Sequence, residues 1–401
     1  MRRDGRLEWV FAIPAVSCAG DRPQPENTSF PEPLASIIES ALNDAREEDQ
    51  EKPMKLKDLA DRLGLSQTTV SRALNGYPEV SPATRERVMD AARRFDYRPN
   101  ASARRLATGR AGAIGAVLRT DRSQMFDPHY VEFLAGLGER LAEREIDIVL
   151  GTSRLNDEMA SYRRIAGGTR VDALVLSSPE ISDDRVRLLT TLGMPFILHG
   201  RTVDQPAHGW LDIDNEDGFR HATNHLLDLG HQRIALINGP TRYTFATHRE
   251  KGFRSALAAR GVAVDEQLIG EGIMTDEVGY RLAEAFLAKR PRPTAILVSS
   301  MMMALGAFRA IRSAGLTLGK DVSMIAHDDV FPFLNADRMV PTMSTTRSSI
   351  RAAGNRVAEL ALELIAGRKP ETIHELWPVE LIVRASTGPA PVLTGAAASS
   401  R

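Results

Sequence analysis

Lys55-Leu56-Lys57-Asp58-Leu59-Ala60-Asp61-Arg62-Leu63-Gly64-Leu65-Ser66-Gln67-Thr68-Thr69-Val70-Ser71-Arg72-Ala73-Leu74-Asn75-Gly76 decides the reading of this chain. Leu56, Leu59, Ala60 and Leu63 fall at helical spacing, so a first short helix carries one apolar face. Gly64 permits a left-handed turn, and Ser66 is placed to cap a second helix. On that helix Val70, Ala73 and Leu74 point inward, which leaves Gln67, Thr68, Thr69, Ser71, Arg72 and Asn75 outward. An outward face of amides, hydroxyls and one guanidinium, free of acids, suits base edges and phosphates in a DNA major groove. The pattern is a helix-turn-helix. Ser81 then caps a third helix with Pro82 at its first position, running to about Phe95. Val88, Ala91, Ala92 and Phe95 supply the face that closes a three-helix core.

Charge concentrates in the same place. Residues 54–110 hold 12 Lys and Arg against 6 Asp and Glu, residues 1–53 hold 6 against 11, and residues 111–401 hold 33 against 35. The net charge of −1 is therefore uninformative, while the local excess marks where a polyanion would sit. Arg98, Arg104 and Arg105 are the phosphate-contact candidates outside the second helix.

The first 53 residues read as foreign to the rest. Met1-Arg2-Arg3, the apolar Leu7–Val16 and Ser17-Cys18-Ala19-Gly20 imitate an export signal, but Glu8 interrupts an already short stretch, so export is rejected. Pro23–Pro33 is turn-rich and predicted disordered, and Leu34–Arg46 has helical spacing. Met54 stands directly before the helical headpiece, and the expectation is an extension or a mis-assigned start over 1–53. One cysteine excludes a disulfide framework and fits a reducing cytoplasm. No apolar run approaches the length that spans a bilayer.

From Ala111 onward the pattern alternates between strands and helices. Ala113–Leu118, Asp147–Leu150, Ala173–Leu176, Phe196–Leu198, Ile234–Ile237, Ala295–Val298 and Val322–Ile325 are apolar runs of the kind buried on both faces of a parallel sheet. Helical segments are predicted over Tyr130–Arg144, Asp183–Leu192, Asp217–Leu229, Glu250–Arg260, Asp276–Ala288 and Met303–Ala314. This is a doubly wound α/β arrangement long enough for two lobes, with ligand space at the carboxyl ends of the strands. The predicted division is an all-α headpiece over 54–99, a hinge and linker over 100–110, an α/β core over 111–390 and a disordered tail over 391–401.

The run Thr69-Val70-Ser71-Arg72-Ala73-Leu74-Asn75, with Val80-Ser81, Thr84-Arg85, Val88, Tyr97, Pro99-Asn100, Ala103-Arg104, Leu106 and Gly109, resembles the DNA-binding headpiece of the lactose/galactose repressor (LacI) family. The resemblance extends over residues 55–390. It implies a homodimeric transcriptional repressor on double-stranded, pseudo-palindromic operator DNA, with a small-molecule effector held in a periplasmic-binding-protein-like core of two lobes. By that comparison one lobe is about 112–211 plus 344–372 and the other about 212–343 plus 373–390. Gln67 and Thr68 match the positions that set base preference, and Arg72 the one that reaches a guanine. Leu56, Ser66, Thr69, Ser71, Asn75, Tyr97, Asn100 and Arg104 match further DNA contacts. Leu106, on a hinge helix over Asn100–Ala107, matches a wedge between base steps in the minor groove.

In the cleft, Arg249 matches an arginine used against sugar hydroxyls and Asp328 an acidic contact, while Phe126, Asp127, His199, Arg201 and Ser300 match cleft-loop positions. Ser299-Ser300-Met301 stands where many members carry an Asn-Asp pair, so less hydrogen bonding and a more adaptable wall are expected there. The headpiece run with Asp127-Pro128-His129 and His199-Gly200-Arg201 is most like the α-glucoside operon repressors of the family, implying a sugar such as sucrose, trehalose or maltose. An enzyme is the different-class alternative, but there is no GxxxxGK loop and no Gly-x-Ser-x-Gly elbow. His327-Asp328-Asp329 lacks a second His at ligand spacing, so no metal and no cofactor are expected. A free-standing solute-binding protein would share the core but has no use for residues 55–108. A non-sugar effector is the remaining alternative.

Overall fold

The computed structural model describes residues 54–97, 109–120, 127–154, 157–203, 207–328, 331 and 334–391. The expectations for the extension, the hinge residues Asn100, Arg104 and Leu106, the phosphate candidates Arg98 and Arg105, Phe126 and Asp329 lie outside the described residues. Two compact units divide near residue 100.

In the first unit, α1 (Leu56–Leu63), α2 (Gln67–Leu74) and α3 (Pro82–Arg94) enclose one small core. Gly64 takes the left-handed conformation (φ 64°) that ends α1. Ser66 Oγ accepts from Thr69 N at 3.0 Å and Ser81 Oγ from Thr84 N at 3.2 Å, satisfying helix-end donors that would otherwise stay unpaired. Leu59, Val70, Ala73 and Val88 are buried, and Leu56, Phe95 and Tyr97 pack against them. Arg87 Nη2 donates to Leu63 O at 2.7 Å and ties α3 to the end of α1.

The second unit holds two six-stranded sheets. The first is ordered β11-β5-β4-β3-β1-β2, with β1 (Ala113–Arg119), β2 (Asp147–Ser153), β3 (Ala173–Ser177), β4 (Phe196–His199), β5 (Gly209–Ile213) and β11 (His374–Trp377). The second is ordered β12-β10-β9-β8-β6-β7, with β6 (Ile234–Asn238), β7 (Ile269–Glu271), β8 (Ala295–Val298), β9 (Ser323–His327), β10 (Ser344–Arg347) and β12 (Glu380–Ile382). Among the described residues, every pairing between these strands is parallel except β10 with β12. The chain passes between lobes three times, after β5, after β10 and after β11.

Those crossovers shift the expected lobe boundaries. Residues 344–347 pair within the second sheet and 374–377 within the first, the reverse of the division drawn from the sequence. The reason is local: Ser344, Thr345 and Thr346 are fully buried yet polar, and the edge strand His374–Trp377 is half-exposed, so neither shows an apolar run.

Helices cover both faces: α4 (Pro128–Ala142), α5 (Glu158–Ala166), α6 (Asp184–Leu192), α7 (Asn215–Asp228), α8 (Thr244–Ala259), α9 (Asp276–Leu287), α10 (Met301–Ser313) and α11 (Ile350–Ile365). Three helix pairs approach so closely that a side chain would collide. A Cβ on Gly354 would lie 2.1 Å from Phe133 O, one on Gly252 2.1 Å from Glu216 O, and one on Gly279 2.1 Å from Met303 O. α8 begins six residues earlier than the sequence suggested, which carries Arg249 onto its buried stripe with Phe253, Ala256 and Leu257.

Candidate functional sites: a nucleic-acid face and an interlobe cleft

On α2 the burial pattern separates the two faces cleanly. Gln67, Thr68, Arg72 and Asn75 are exposed, Thr69 and Ser71 half-buried, and Val70 and Ala73 buried. Not every outward group is equally available. Ser66 and Thr69 hydroxyls lie 2.8 Å apart within the cap, and Asn75 Nδ2 donates to Ser71 O at 2.8 Å. Gln67, Thr68 and Arg72 remain as the reaching side chains. Thr68, Thr69 and Arg72 line a surface groove with Ser81 and Thr84. Leu56 and Tyr97 serve the headpiece core, and burial raises the Tyr97 hydroxyl's pKa.

The cleft is built at the carboxyl ends of strands in both lobes. From the first lobe come Asp127 and His129 after β1, Ser177 at the end of β3 with Ser178 after it, His199 at the end of β4 and Asp212 on β5. From the second come Phe245 and Arg249 on α8, Ser299 and Ser300 after β8, and Asp328 after β9. The space, counted together with its open mouth, amounts to about 950 Å³. Arg185 shapes one wall. Its Nη2 donates to Ser177 O at 3.3 Å and Ser178 O at 3.2 Å while Asp183 grips the same guanidinium at 2.6 Å. The loop so fixed meets the other lobe, where Thr244 N donates to Pro179 O at 3.0 Å.

Arg249 and Asp328 dominate the floor. Arg249 is 5 % exposed, donates from Nε to Asn215 Oδ1 and from Nη1 to Ser299 O, both at 2.7 Å, and lies over the rings of Phe219 and Phe245. Burial lowers its pKa to about 10, against the opposing charges of Asp328 and Asp212, so the guanidinium stays charged at neutral pH. Asp328 is 2 % exposed and holds φ at +67°, a conformation that side chains adopt at a cost. Its Oδ2 lies 2.6 Å from His129 Nε2, across the lobes, and its Oδ1 is buried with no hydrogen-bond partner.

The titrations follow from this arrangement. Burial pushes the Asp328 carboxyl up, but the charges of His327, His129 and Arg249 overcome it and leave it below the usual range. For His129 burial opposes the charged ring, and Asp328 outweighs burial and raises the pKa. His199 stacks on Phe133 at 4.5 Å, and burial, joined by the charge of His129 and only partly offset by Asp328, lowers its pKa to about 3. Asp212 is raised to about 6 by burial, despite Arg201 at 3.3 Å.

Asp127, His199, Arg249, Ser300 and Asp328 thus meet in one cavity. Arg201 does not line it. The guanidinium stands behind Asp212, 5.7 Å from the Trp210 ring. Ser300 reaches the cavity but its Oγ caps α10 through Met303 N at 3.2 Å, and Ser299 Oγ donates to Asn238 Oδ1 at 2.6 Å. The wall beside them is Met301 and Met302, apolar as expected.

Sequence reasoning missed His129, Asp212, Asn215 and Phe245. Asp212 and Asn215 flank the end of a strand in Trp210-Leu211-Asp212-Ile213-Asp214-Asn215, a signal that the carboxyl-end rule could have used. His129 offered none, because only folding brings it to Asp328, 199 positions away. It also supplies the second imidazole that local spacing lacked: His129, His327 and Asp328 place their ligand atoms within 4.8 Å of one another. One contact within the cluster is a hydrogen bond, His129 Nε2 to Asp328 Oδ2, and His327 Nδ1 is engaged outside it by Thr346 Oγ1 at 2.8 Å.

Comparison with known proteins agrees with both units. Residues 55–100 match the model of bacterial regulatory proteins of the lacI family, and residues 223–387 match a periplasmic binding protein-like domain. The HTH-type transcriptional regulator AglR of Rhizobium meliloti is 49 % identical over 84 % of this chain and 96 % of its own length. The HTH-type transcriptional regulator CelR of Thermobifida fusca is 33 % identical over 82 % of this chain and 97 % of its own. Among solved structures, a CelR–cellobiose complex has TM-score 0.63 at 31 % identity, covering 83 % of this chain and 99 % of that one. A lac repressor dimer bound to operator and the anti-inducer ONPF has TM-score 0.71 at 27 % identity, covering 84 % and 100 %. No helix among the described residues is long and apolar enough to cross a membrane.

Proposed function

The chain belongs to the LacI family of bacterial transcriptional regulators, and from that premise we propose that it is a homodimeric, nucleoid-associated cytoplasmic repressor released from its operator by a small neutral sugar. The proposed organisation is a headpiece over 54–99, a hinge and linker over 100–110 and an effector and dimerisation domain over 111–390. Gln67 and Thr68 read bases, Arg72 reaches a guanine or phosphate, and Leu106 wedges into the minor groove. Leu106→Ala is expected to weaken operator binding in a gel-shift titration, and undiminished affinity would remove the wedge role.

One observation carries the effector reading: Asp328, a buried carboxylate whose Oδ1 has no hydrogen-bond partner, lines the same cavity as a buried, pinned guanidinium, Arg249. Adjacent hydroxyls donate and accept together, which such a pair satisfies. An anionic ligand would meet Asp328 and a cationic one Arg249, so a neutral polyol fits best. The sugar class is supported by the cellobiose carried by a related structure, and an α-glucoside by the resemblance of the headpiece and of Asp127-Pro128-His129 to α-glucoside operon repressors. Effector and operator then change each other's affinity by one factor, as linkage demands. A thermal-shift screen of sucrose, trehalose, maltose, glucose, purines and amino acids tests this. Stabilisation by a purine or amino acid with no response to any sugar would overturn it.

A further inference from the structure

Beside the floor a second recess opens toward the mouth, sharing Asp127, Ser178, Phe245 and Met274 with the main cavity. What it adds is Arg119, Pro240, Arg242, Tyr243 and Ile273. Tyr243 stacks on Phe245 with ring centroids 5.7 Å apart and 10° between planes, so the two rings form one stiff wall. Two guanidiniums converge on its phenol oxygen, Arg119 Nη1 at 2.8 Å from the first lobe and Arg242 Nη2 at 2.9 Å from the second. Ile273 is 51 % exposed here, a large apolar side chain that the lobe's own core does not use.

The two compartments differ in chemistry. The floor is charged and buried, suited to a ring whose hydroxyls are all bound. The recess offers an apolar shelf, Ile273 and Met274, rimmed by the exposed Arg242, and no buried unpartnered carboxylate. A pyranose has a C–H face that packs on such a shelf and peripheral hydroxyls that accept from a guanidinium. A phosphate is less suited, because both guanidiniums are committed to Tyr243 Oη and Glu180 lies 3.7 Å from Arg242 Nε.

Resting on the sugar reading of the cleft, we propose that the recess is a second-ring subsite, with Arg242 and Ile273 selecting a neutral disaccharide over a monosaccharide. The test is calorimetric titration of the full chain, and of Ile273→Ser and Arg242→Ala, with glucose, sucrose, trehalose, maltose and glucose 6-phosphate. Both substituted residues lie at the rim, outside the sheet cores. At least one disaccharide is expected to bind about 10-fold or more tightly than glucose, and each variant to weaken that disaccharide about 10-fold without weakening glucose. Equal affinity for glucose and the disaccharides, or equal losses for both in the variants, overturns the subsite and leaves the sugar reading standing. Tighter binding of glucose 6-phosphate than of every neutral sugar overturns the neutral second ring. Binding of none of the five overturns the sugar reading itself.

Discussion

Asp328→Asn isolates the charge on the cleft floor with little disturbance of the fold. Asparagine is among the residues that tolerate a positive φ, so the +67° at this position remains accessible. The volume is nearly unchanged, and the backbone bond from residue 328 N to Thr346 O at 2.8 Å does not involve the side chain. What disappears is a charged acceptor facing the ligand and the ionic partner of His129 at 2.6 Å. A hydrogen bond to a charged group is worth about 1.5–3 kcal/mol, so effector affinity is expected to fall roughly 10- to 150-fold. The assay is a paired measurement: calorimetry with the disaccharide that stabilises the native chain, and gel shift on the operator with and without it. Operator affinity without effector should hold while the release midpoint moves to higher sugar concentration. An unchanged release midpoint would refute the placement of Asp328 against the ligand.

Arg72→Ala is expected to weaken specific operator binding by about 1–3 kcal/mol in gel shift, and Gln67→Ala to relax base preference at one position. Equal binding of operator and scrambled DNA by the native chain would contradict both. Gly354→Ala forces a Cβ against Phe133 O and should cost about 1–3 kcal/mol, read as a lower melting temperature. His199 is held neutral in the fold with its pKa near 3, so the unfolded chain takes up its proton first as pH falls below 6.5. Stability attributable to this ring is therefore full above pH 6.5 and is lost progressively toward pH 3. His199→Phe should flatten the decline in melting temperature between pH 7 and 5, and an unaltered slope would mean that the ring is not neutral in the native cleft.

How far the sequence reached depended on whether a signal was local. The headpiece was fully legible, because Gly64, Ser66, Ser81 and Pro82 mark helix ends by chemistry that acts within a few residues. The core strands with unbroken apolar runs were equally plain. β10 was not, since its buried Ser344, Thr345 and Thr346 take their place through hydrogen bonds to distant partners such as Arg384 and His327. α11 is amphipathic but carries Gly354 on its buried face, and the glycine reads as a breaker until α4 is laid across it. In the cleft, resemblance pointed to Arg249 and Asp328, while pattern alone would have left Arg249 an ordinary helix arginine. Arg201 shows the opposite failure: the resemblance pointed to the cleft, but beyond the end of the strand and past Gly200 at φ 108° its side chain pairs with Asp212 and lies over Trp210.

The division of the floor between lobes has a consequence for control. Asp328 and Arg249 belong to the second lobe, while His129, His199 and Asp127 belong to the first, and three chain crossovers join them. The His129–Asp328 contact therefore measures the lobes' separation directly, at 2.6 Å in this setting. A sugar hydroxyl that inserts between these two groups replaces one hydrogen bond with two and favours a different separation. It shifts the equilibrium between settings only by its difference in affinity for them. A response of 10- to 100-fold needs about 1.4–2.8 kcal/mol, which is the scale of one hydrogen bond to a charged group. The cross-lobe pair is thus large enough to carry the whole coupling. His129→Asn, which keeps a hydrogen-bonding group but cannot hold the charge, is expected to retain effector binding while compressing the shift in operator affinity. If that variant keeps the native shift, the coupling runs through the Pro179–Thr244 contact on the other wall of the cleft instead.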